Sequence, residues 1–115
     1  MDSQQAQGKR EIPIAEITRL IDLVNYQEGA VVSRTIINRA TGTVTLFAFD
    51  EGQGLSEHTT SFDALAYLLE GEAEIVISGK PLRAKAGEVV LMPADQPHSL
   101  KASGRFKMLL TMIRS

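Results

Sequence analysis

The chain has 115 residues, of which 43% are hydrophobic and 23% charged, and this length and composition are typical of one globular domain. Its 12 basic residues are scattered among 14 acidic ones and it has no cysteine, which excludes disulfides and sulfur-based metal sites and argues against nucleic acid as a partner. No apolar stretch approaches the roughly 18 residues of a membrane-spanning helix, and residues 1–11 are polar, so we expect a cytoplasmic protein without a membrane partner.

The N-terminal part is predicted to be a flexible arm followed by a helix. Residues 1–10 are polar and lack apolar periodicity, which is typical of a loose terminus. We therefore expect a single domain over 11–115. Within 13–24, apolar residues recur at intervals of three and four, and this spacing predicts a short amphipathic helix with Pro13 in its first turn. The residues of the apolar stripe are Ile14, Ile17, Leu20, Ile21 and Val24.

After Gly29 the pattern changes to short apolar or β-branched runs that are separated by turn residues. Strands are predicted at 30–38, 43–49, 64–69, 73–78, 81–84, 88–92, 98–102 and 106–113. Between two of them, Gly79 is expected to supply a positive φ at the first central position of a tight hairpin turn. Eight short strands at this spacing predict an all-β sandwich or barrel.

Both histidines of the chain lie in segments that glycine and proline punctuate regularly. In the first segment, Gly52 is followed by five residues and then by His58. In the second segment, Gly87 is followed by five residues, then by Pro93 and, after a short turn, by His98. The two patterns together predict that both imidazole rings face the interior of one barrel.

These segments, at about 52–71 and 87–102, resemble the two signature motifs of the cupin superfamily, G-x5-H-x-H-x3,4-E-x6-G and G-x5-P-x-G-x2-H-x3-N. The resemblance covers about 42–113 and implies a small, single-domain cupin of bacterial type. Its implied fold is a double-stranded β-helix, the RmlC-like jelly roll. Asp95 replaces the glycine of the second motif, and aspartate tolerates the left-handed backbone that such a turn position requires.

The resemblance also implies where a metal would bind. The cupin motifs place metal ligands at four positions, which in this chain are His58, Thr60, Ala64 and His98. Only two of these are imidazoles, whereas zinc, iron, nickel or manganese sites normally take three or more protein ligands. Thr60 offers a neutral hydroxyl and Ala64 offers no ligand. A divalent metal on His58 and His98 therefore stays an open prediction.

Two carboxylates lie beside these positions. Asp63 immediately precedes Ala64, and Glu57 immediately precedes His58. Because side chains alternate along a strand, both are expected to point away from the interior unless a β-bulge turns them inward. They are accessory ligand candidates for the two-histidine site.

A second interpretation keeps the pocket and omits the metal. Strand alternation, combined with the cupin resemblance, predicts a pocket lined by His58, Thr60, Ala64, Ala66, Leu68, Met92 and His98. The favoured function is the binding of a small organic molecule around the two histidines. The alternative is a metal-dependent enzyme (isomerase, lyase or oxygenase) whose two-histidine site is completed by a carboxylate, water or substrate. Whether the chain is an enzyme is left open.

The early strands also carry a predicted contact surface. Val32 and Ile36 share one face of the first predicted strand, and Val44 lies on the next. If these side chains point outward, they form an apolar face suited to a symmetric contact between two copies. We therefore expect a homodimer, which is compatible with either function.

Overall fold

The computed structural model describes residues 15–115, which form nine strands and one 3-10 turn. The strands are β1 (Val31–Arg39), β2 (Gly42–Phe49), β3 (Gly54–His58), β4 (Asp63–Glu70), β5 (Glu72–Ile77), β6 (Lys80–Lys85), β7 (Val89–Met92), β8 (His98–Lys101) and β9 (Phe106–Ile113). They form two sheets, with strand orders β1-β2-β9-β4-β7 and β3-β8-β5-β6, and all observed pairings are antiparallel. The predicted all-β architecture is confirmed.

Each of the eight predicted strands corresponds to an observed one, whereas β3 was not predicted. β3 contains Gly54 and only one half-buried residue, Leu55, among otherwise exposed positions. It therefore lacks the apolar alternation by which a strand is recognised in a sequence. This unpredicted strand is the one that carries His58 at its C-terminal end.

The hydrophobic core lies between the two sheets. In β4, Ala64, Ala66 and Leu68 are buried while Leu65 and Tyr67 are exposed, as strand alternation predicts. The buried residues of β4 belong to one cluster with buried residues of β2, β5, β6, β7, β8 and β9. The two sheets thus share a single core, and β4 separates it from the outer face of the larger sheet.

The two ends of the barrel have different linings. At one end, Phe49 and Phe106 stack with ring centroids 4.4 Å apart, and we call this the aromatic end. Along β9, Met112 lies six positions from Phe106 and pairs with Ala64 at the start of β4. We call this opposite end the histidine end, because His98 is connected to it through the turn 93–97 that follows β7.

The predicted helix over 13–24 is wrong in the part that the structure describes. Only Leu20–Asp22 are helical, as one 3-10 turn, and residues 1–14, with the predicted arm and the start of the predicted helix, lie outside the described residues. Ile17 is fully exposed, so the apolar stripe does not form one buried face. Instead Leu20, Leu23 and Val24 pack on the outer face of the larger sheet. A short helix gains its stability mainly from packing, and here the apolar side chains pack without one. Among residues 15–115, no helix is long and apolar enough to cross a membrane.

Polar contacts fasten this N-terminal segment to the sheet. The Tyr26 hydroxyl donates to Glu70 Oε2 at 2.6 Å, and the buried Lys107 Nζ donates to the Ile21 carbonyl at 2.7 Å. Burial, followed by the hydrogen bond to Glu70, raises the pKa of Tyr26, so its hydroxyl keeps the proton that it donates. The segment is therefore part of the folded unit.

Asp50 makes a second attachment near the end of β2. Its carboxylate accepts hydrogen bonds from the Gly29 backbone N–H and from Arg105 Nε, each at 2.7 Å. The Gly29 N–H, and after it Arg105, lowers the pKa of Asp50 below its ordinary value. The carboxylate therefore stays ionised throughout the neutral range.

One predicted turn forms with a different placement of its glycine. β5 ends at Ile77, which pairs directly with Lys80, so the two central residues are Ser78 and Gly79. Both have positive φ, 49° and 80°, which is the type I′ pattern. Gly79 stands at the second central position, and the expectation that it is first was wrong.

The outer face of the larger sheet is only partly covered. Val32 and Ile36 lie on this face, but they pack against the cluster that includes Val24 of the N-terminal segment. Val44 is half-buried in β2. Further along the sheet, four outward residues are exposed, and they pair as Leu65 with Leu91 and Tyr67 with Val89. The homodimer stays a prediction.

Candidate functional site

A β-bulge brings the two histidines opposite each other. In the pairing of β3 with β8, Leu55 is opposite Leu100 and His58 is opposite His98. Three residue steps on β3 therefore match two on β8, which is the signature of one inserted residue. Without the bulge, strand alternation would place Glu57 opposite His98. The bulge thus gives His58 the inward position and leaves Glu57 exposed.

The two imidazole rings are in contact. Their centroids are 4.4 Å apart and their planes are inclined by 66°. His58 is exposed, whereas His98 is only 4% exposed and also pairs with Ile77 of β5. The pair therefore spans the boundary between solvent and the barrel interior. The prediction that both rings face the interior agrees with the position of His98, whereas His58 lies at the solvent-exposed edge.

The same local hydrogen bond orients both rings. The Nδ1 atom of His58 lies 2.8 Å from the Ser56 carbonyl oxygen, and Nδ1 of His98 lies 3.4 Å from that of Gln96. A carbonyl oxygen only accepts hydrogen bonds, so Nδ1 carries the proton and Nε2 of the neutral ring holds a lone pair. Within residues 15–115, neither Nε2 has a hydrogen-bond partner. Sequence reasoning missed these two carbonyl groups because a backbone acceptor leaves no mark on residue identity.

Burial keeps His98 neutral. Desolvation lowers the pKa of His98, the neighbouring His58 lowers it further, and the hydrogen bond to Gln96 opposes both effects. An unperturbed histidine titrates near pH 6.5, so the buried ring is uncharged at neutral pH. At the site it is a neutral hydrogen-bonding group.

This depressed pKa predicts an acid-sensitive fold. Because the pKa of His98 is lowered in the folded chain, the unfolded chain binds a proton at this position more readily. The stability that His98 contributes is therefore complete above the unfolded-state pKa of about 6.5 and is lost as the pH falls below it. We expect His98→Gln to flatten the fall in unfolding free energy between about pH 7 and pH 5. Urea denaturation across that range measures it, and Asp50 does not interfere because it titrates at lower pH. If the unfolding free energy of His98→Gln falls as steeply with decreasing pH as that of the unchanged chain, the lowered pKa of His98 is contradicted.

Three hydrogen bonds hold the turn that delivers His98 into β8. The Ala94 backbone N–H donates to Asp63 Oδ1 at 2.9 Å, and the Asp95 N–H donates to the Thr60 carbonyl at 2.7 Å. The Pro97 carbonyl accepts from the backbone N–H of the residue after β5 at 2.8 Å. Asp95 has a φ of 66°, which confirms that it tolerates the left-handed position. The turn therefore links both motif segments to β5.

The remaining predicted pocket residues occupy different depths. Thr60 is half-buried beside the histidine-end turn, and its hydroxyl oxygen accepts a hydrogen bond from the Phe62 N–H at 3.3 Å. Ala64 and Met92 are buried and pair directly across β4 and β7. The other two, Ala66 and Leu68, are fully buried in the core toward the aromatic end. A role in ligand binding stays a prediction for all of them.

The donors at the histidine end do not form a tight metal site. Across the described part of the chain, no three His, Asp, Glu or Cys side chains lie close enough together to hold a metal ion. The carboxylate of Asp63 is engaged by the Ala94 N–H, and Glu57 lies in the bulge at an exposed position. The residues present therefore do not fit a metal held by three or more protein ligands. Weaker binding by His58 and His98 stays an open prediction.

An open groove lies elsewhere on the molecule. It has a volume of about 510 Å³ and is lined by residues 23–27 and 32–34, between the N-terminal segment and β1. Arg34 crosses it and donates from Nη1 to the Leu23 carbonyl at 2.9 Å. The groove is on the outer face of the larger sheet, so it is separated from the histidine pair by the core.

Comparisons with known proteins agree with the motif resemblance. The family model described as "Cupin domain" matches residues 45–114. The crystal structure of a conserved protein of unknown function from Streptococcus pyogenes is similar at 33% identity with a TM-score of 0.89, covering 92% of this chain and 93% of that chain. A cupin superfamily protein from Desulfitobacterium hafniense DCB-2 is similar at 27% identity with a TM-score of 0.87, covering 92% and 97%.

A third solved structure is longer than this chain. It is a Cupin 2 conserved barrel domain protein from Leptotrichia buccalis with 35% identity and a TM-score of 0.80, and the match covers 82% of this chain but 46% of that chain. No curated protein matches the sequence. Together with the observed sheets, the matches confirm the predicted double-stranded β-helix of jelly-roll type.

Proposed function

Since the chain belongs to the cupin family, we propose that its barrel binds a small organic molecule at the histidine end, around His58 and His98. The observation that carries the proposal is the contact of two imidazoles, one exposed and one buried, whose Nδ1 atoms are both held by backbone carbonyls. This arrangement leaves the Nε2 atoms of the two rings as oriented polar atoms at the edge of an apolar core. Few, well-placed polar groups on an apolar lining are typical of small-molecule sites.

The neighbouring side chains support an organic ligand. Ala64 occupies the position where the cupin motif has a glutamate, so this part of the lining is small and uncharged. Met92 and the half-buried Met112 both pair with Ala64 across the sheet. Methionine side chains are flexible and adapt to apolar surfaces. A ligand entering past the exposed His58 therefore meets a lining that can change shape around it.

The proposal is tested by screening small metabolites against the purified protein. A ligand at about 100 times its dissociation constant stabilises the fold by about 2.7 kcal/mol, which gives a measurable rise in melting temperature. Because the chain has only two histidines, its imidazole proton signals report binding at the site directly. Glu51→Gln, at an exposed position in the turn after β2, is the control that should keep the response. If no compound changes the melting curve or either histidine signal, the proposal is wrong.

The alternative, a metal-dependent isomerase, lyase or oxygenase, requires a ligand beyond His58 and His98. Elemental analysis of natively purified protein separates the two functions. Near-stoichiometric metal that is lost in both His58→Ala and His98→Ala would favour the alternative. We assign no reaction to the site, and a cytoplasmic location stays a prediction.

A further inference from the structure

We propose that the ligand of the histidine pair carries a hydroxyl group on an otherwise apolar, uncharged body, as a small alcohol or phenol does, and that its O–H donates to an imidazole Nε2. The inference rests on the proposed function, because it names the ligand class of that same site. Its basis is that backbone carbonyl groups already engage Nδ1 of each ring, which leaves Nε2 as the atom that can bind a ligand.

The first step concerns which partner the rings can take. Each neutral imidazole has one donor and one acceptor, and the donors are used by the carbonyl groups of Ser56 and Gln96. The free atom on both His58 and His98 is therefore an acceptor. A ligand must present a donor to it, since two acceptors repel and a desolvated polar atom without a partner costs free energy.

The second step concerns charge. Within residues 15–115, His58 is the only ionisable side chain that contributes to the lowered pKa of His98. Leu100, two residues along β8 from His98, belongs to the buried apolar cluster. The motif carboxylate Asp63 is engaged by the turn, and Glu57 is exposed to solvent. Among the described residues, an anionic ligand would find no fixed cation, and an ammonium ligand no buried carboxylate, beside the buried ring, so either would be desolvated without compensation. The site therefore favours an uncharged ligand.

The third step separates a hydroxyl from an amide. An amide N–H could also donate to Nε2, but its carbonyl would then need a donor of its own. Both Nδ1–H groups are occupied, so neither imidazole can supply that donor. A hydroxyl provides the required donor and adds no carbonyl group to satisfy. It is the smallest uncharged group that matches the pair.

The test compares p-cresol with toluene, which has the same body without the hydroxyl, and with benzoate, which carries a negative charge. Binding is followed at about pH 8, where neutral imidazole dominates, by NMR titration of the two histidine ring signals. We expect p-cresol to bind roughly tenfold more tightly than toluene, the ratio that a net hydrogen bond of about 1.4 kcal/mol gives. We expect benzoate to bind more weakly than p-cresol.

Two variants locate the hydrogen bond. His98→Phe and, at the exposed position, His58→Phe each remove one acceptor and keep an aromatic ring, and at least one of them should reduce p-cresol affinity to that of toluene. Glu51→Gln, at an exposed position in the turn after β2, should leave the ratio unchanged. Equal binding of p-cresol and toluene, or tighter binding of benzoate, would overturn the hydroxyl inference while the proposed function survives. If none of the three probes shifts either ring signal, the hydroxyl inference is overturned, and the metabolite screen decides the proposed function separately.

Discussion

The substitution Gly71→Ala is expected to lower the free energy of unfolding by about 2–5 kcal/mol, because it combines left-handed backbone strain with a steric clash. Gly71 joins β4 to β5 with a φ of 77°. An added Cβ would collide with the Arg105 carbonyl oxygen and would lie 3.0 Å from both Cα and Cβ of Phe106. These are mostly backbone atoms, which cannot move aside as the end of a flexible side chain can.

Gly79→Ala is the matched control. Gly79 has nearly the same φ, 80°, but an added Cβ would meet nothing within 4 Å. It should therefore cost only the conformational penalty of about 1–2 kcal/mol. Urea denaturation of both variants beside the unchanged chain measures the difference. Equal losses would mean that the close approach of Gly71 to the strand of Phe106 contributes nothing to stability.

Gly71→Ala is also expected to disturb side-chain packing at the aromatic end of the barrel. Phe106 stacks on Phe49 with ring planes inclined by 11°, and both side chains are fully buried. A displacement of the β9 backbone at Phe106 would separate these rings and loosen the core beneath them. The histidine pair lies at the other end, so its ring signals should change less than those of the two phenylalanines.

The parts of the fold that were predictable from the sequence are those that local patterns determine. Strand alternation, combined with the cupin resemblance, correctly placed Ala64, Ala66 and Leu68 on the buried face of β4. The spacing of glycine, proline and histidine indicated the motif segments, and Asp95 adopts the left-handed conformation expected at its position. Each of these follows from the geometry of a few neighbouring residues.

Other features depend on contacts between residues that are distant in sequence. The stripe from Ile14 to Val24 predicts a helix by its period, but the conformation of its described part depends on packing against a sheet surface that includes Leu46. Likewise, the bond from Lys107 to the Ile21 carbonyl joins residues separated by 86 positions. No local pattern contains such information, and the predicted helix failed for that reason.

The candidate site was predictable in its side chains but not in its chemistry. The sequence patterns brought His58 and His98 together, whereas the bulge in the unpredicted β3 decides which β3 side chain faces His98. The choice of free ring nitrogen depends on the carbonyl groups of Ser56 and Gln96, two residues before each histidine. Any residue at those positions has a carbonyl, so this part of the site became evident only from the structure.

The double substitution Thr60→His/Ala64→Glu is expected to convert the histidine pair into a transition-metal site. It restores the ligand types that the cupin motifs place at these positions beside His58 and His98, giving four nitrogen and oxygen ligands. We expect affinity for Ni²⁺ or Zn²⁺ to rise by roughly 100-fold or more, because even an outer-shell partner of a metal ligand is worth roughly 10–100-fold. Isothermal titration calorimetry of the variant and the unchanged chain measures the change.

The control is Thr60→Gln/Ala64→Gln, which adds side chains of comparable length without an imidazole or a carboxylate. Position 64 is buried, so the glutamate should destabilise the metal-free variant, and added metal should restore its melting temperature. The single variant Thr60→His, at a half-buried position, tests the same geometry with less disturbance of the core.

If neither variant with an added ligand binds metal more tightly than the glutamine control, positions 60 and 64 do not converge on the histidines. If the unchanged chain already binds as tightly, a third ligand is present and the metal-dependent alternative gains support. The expected result would show that positions 60 and 64 converge on the histidine pair and that Thr60 and Ala64 leave the pair without further metal ligands.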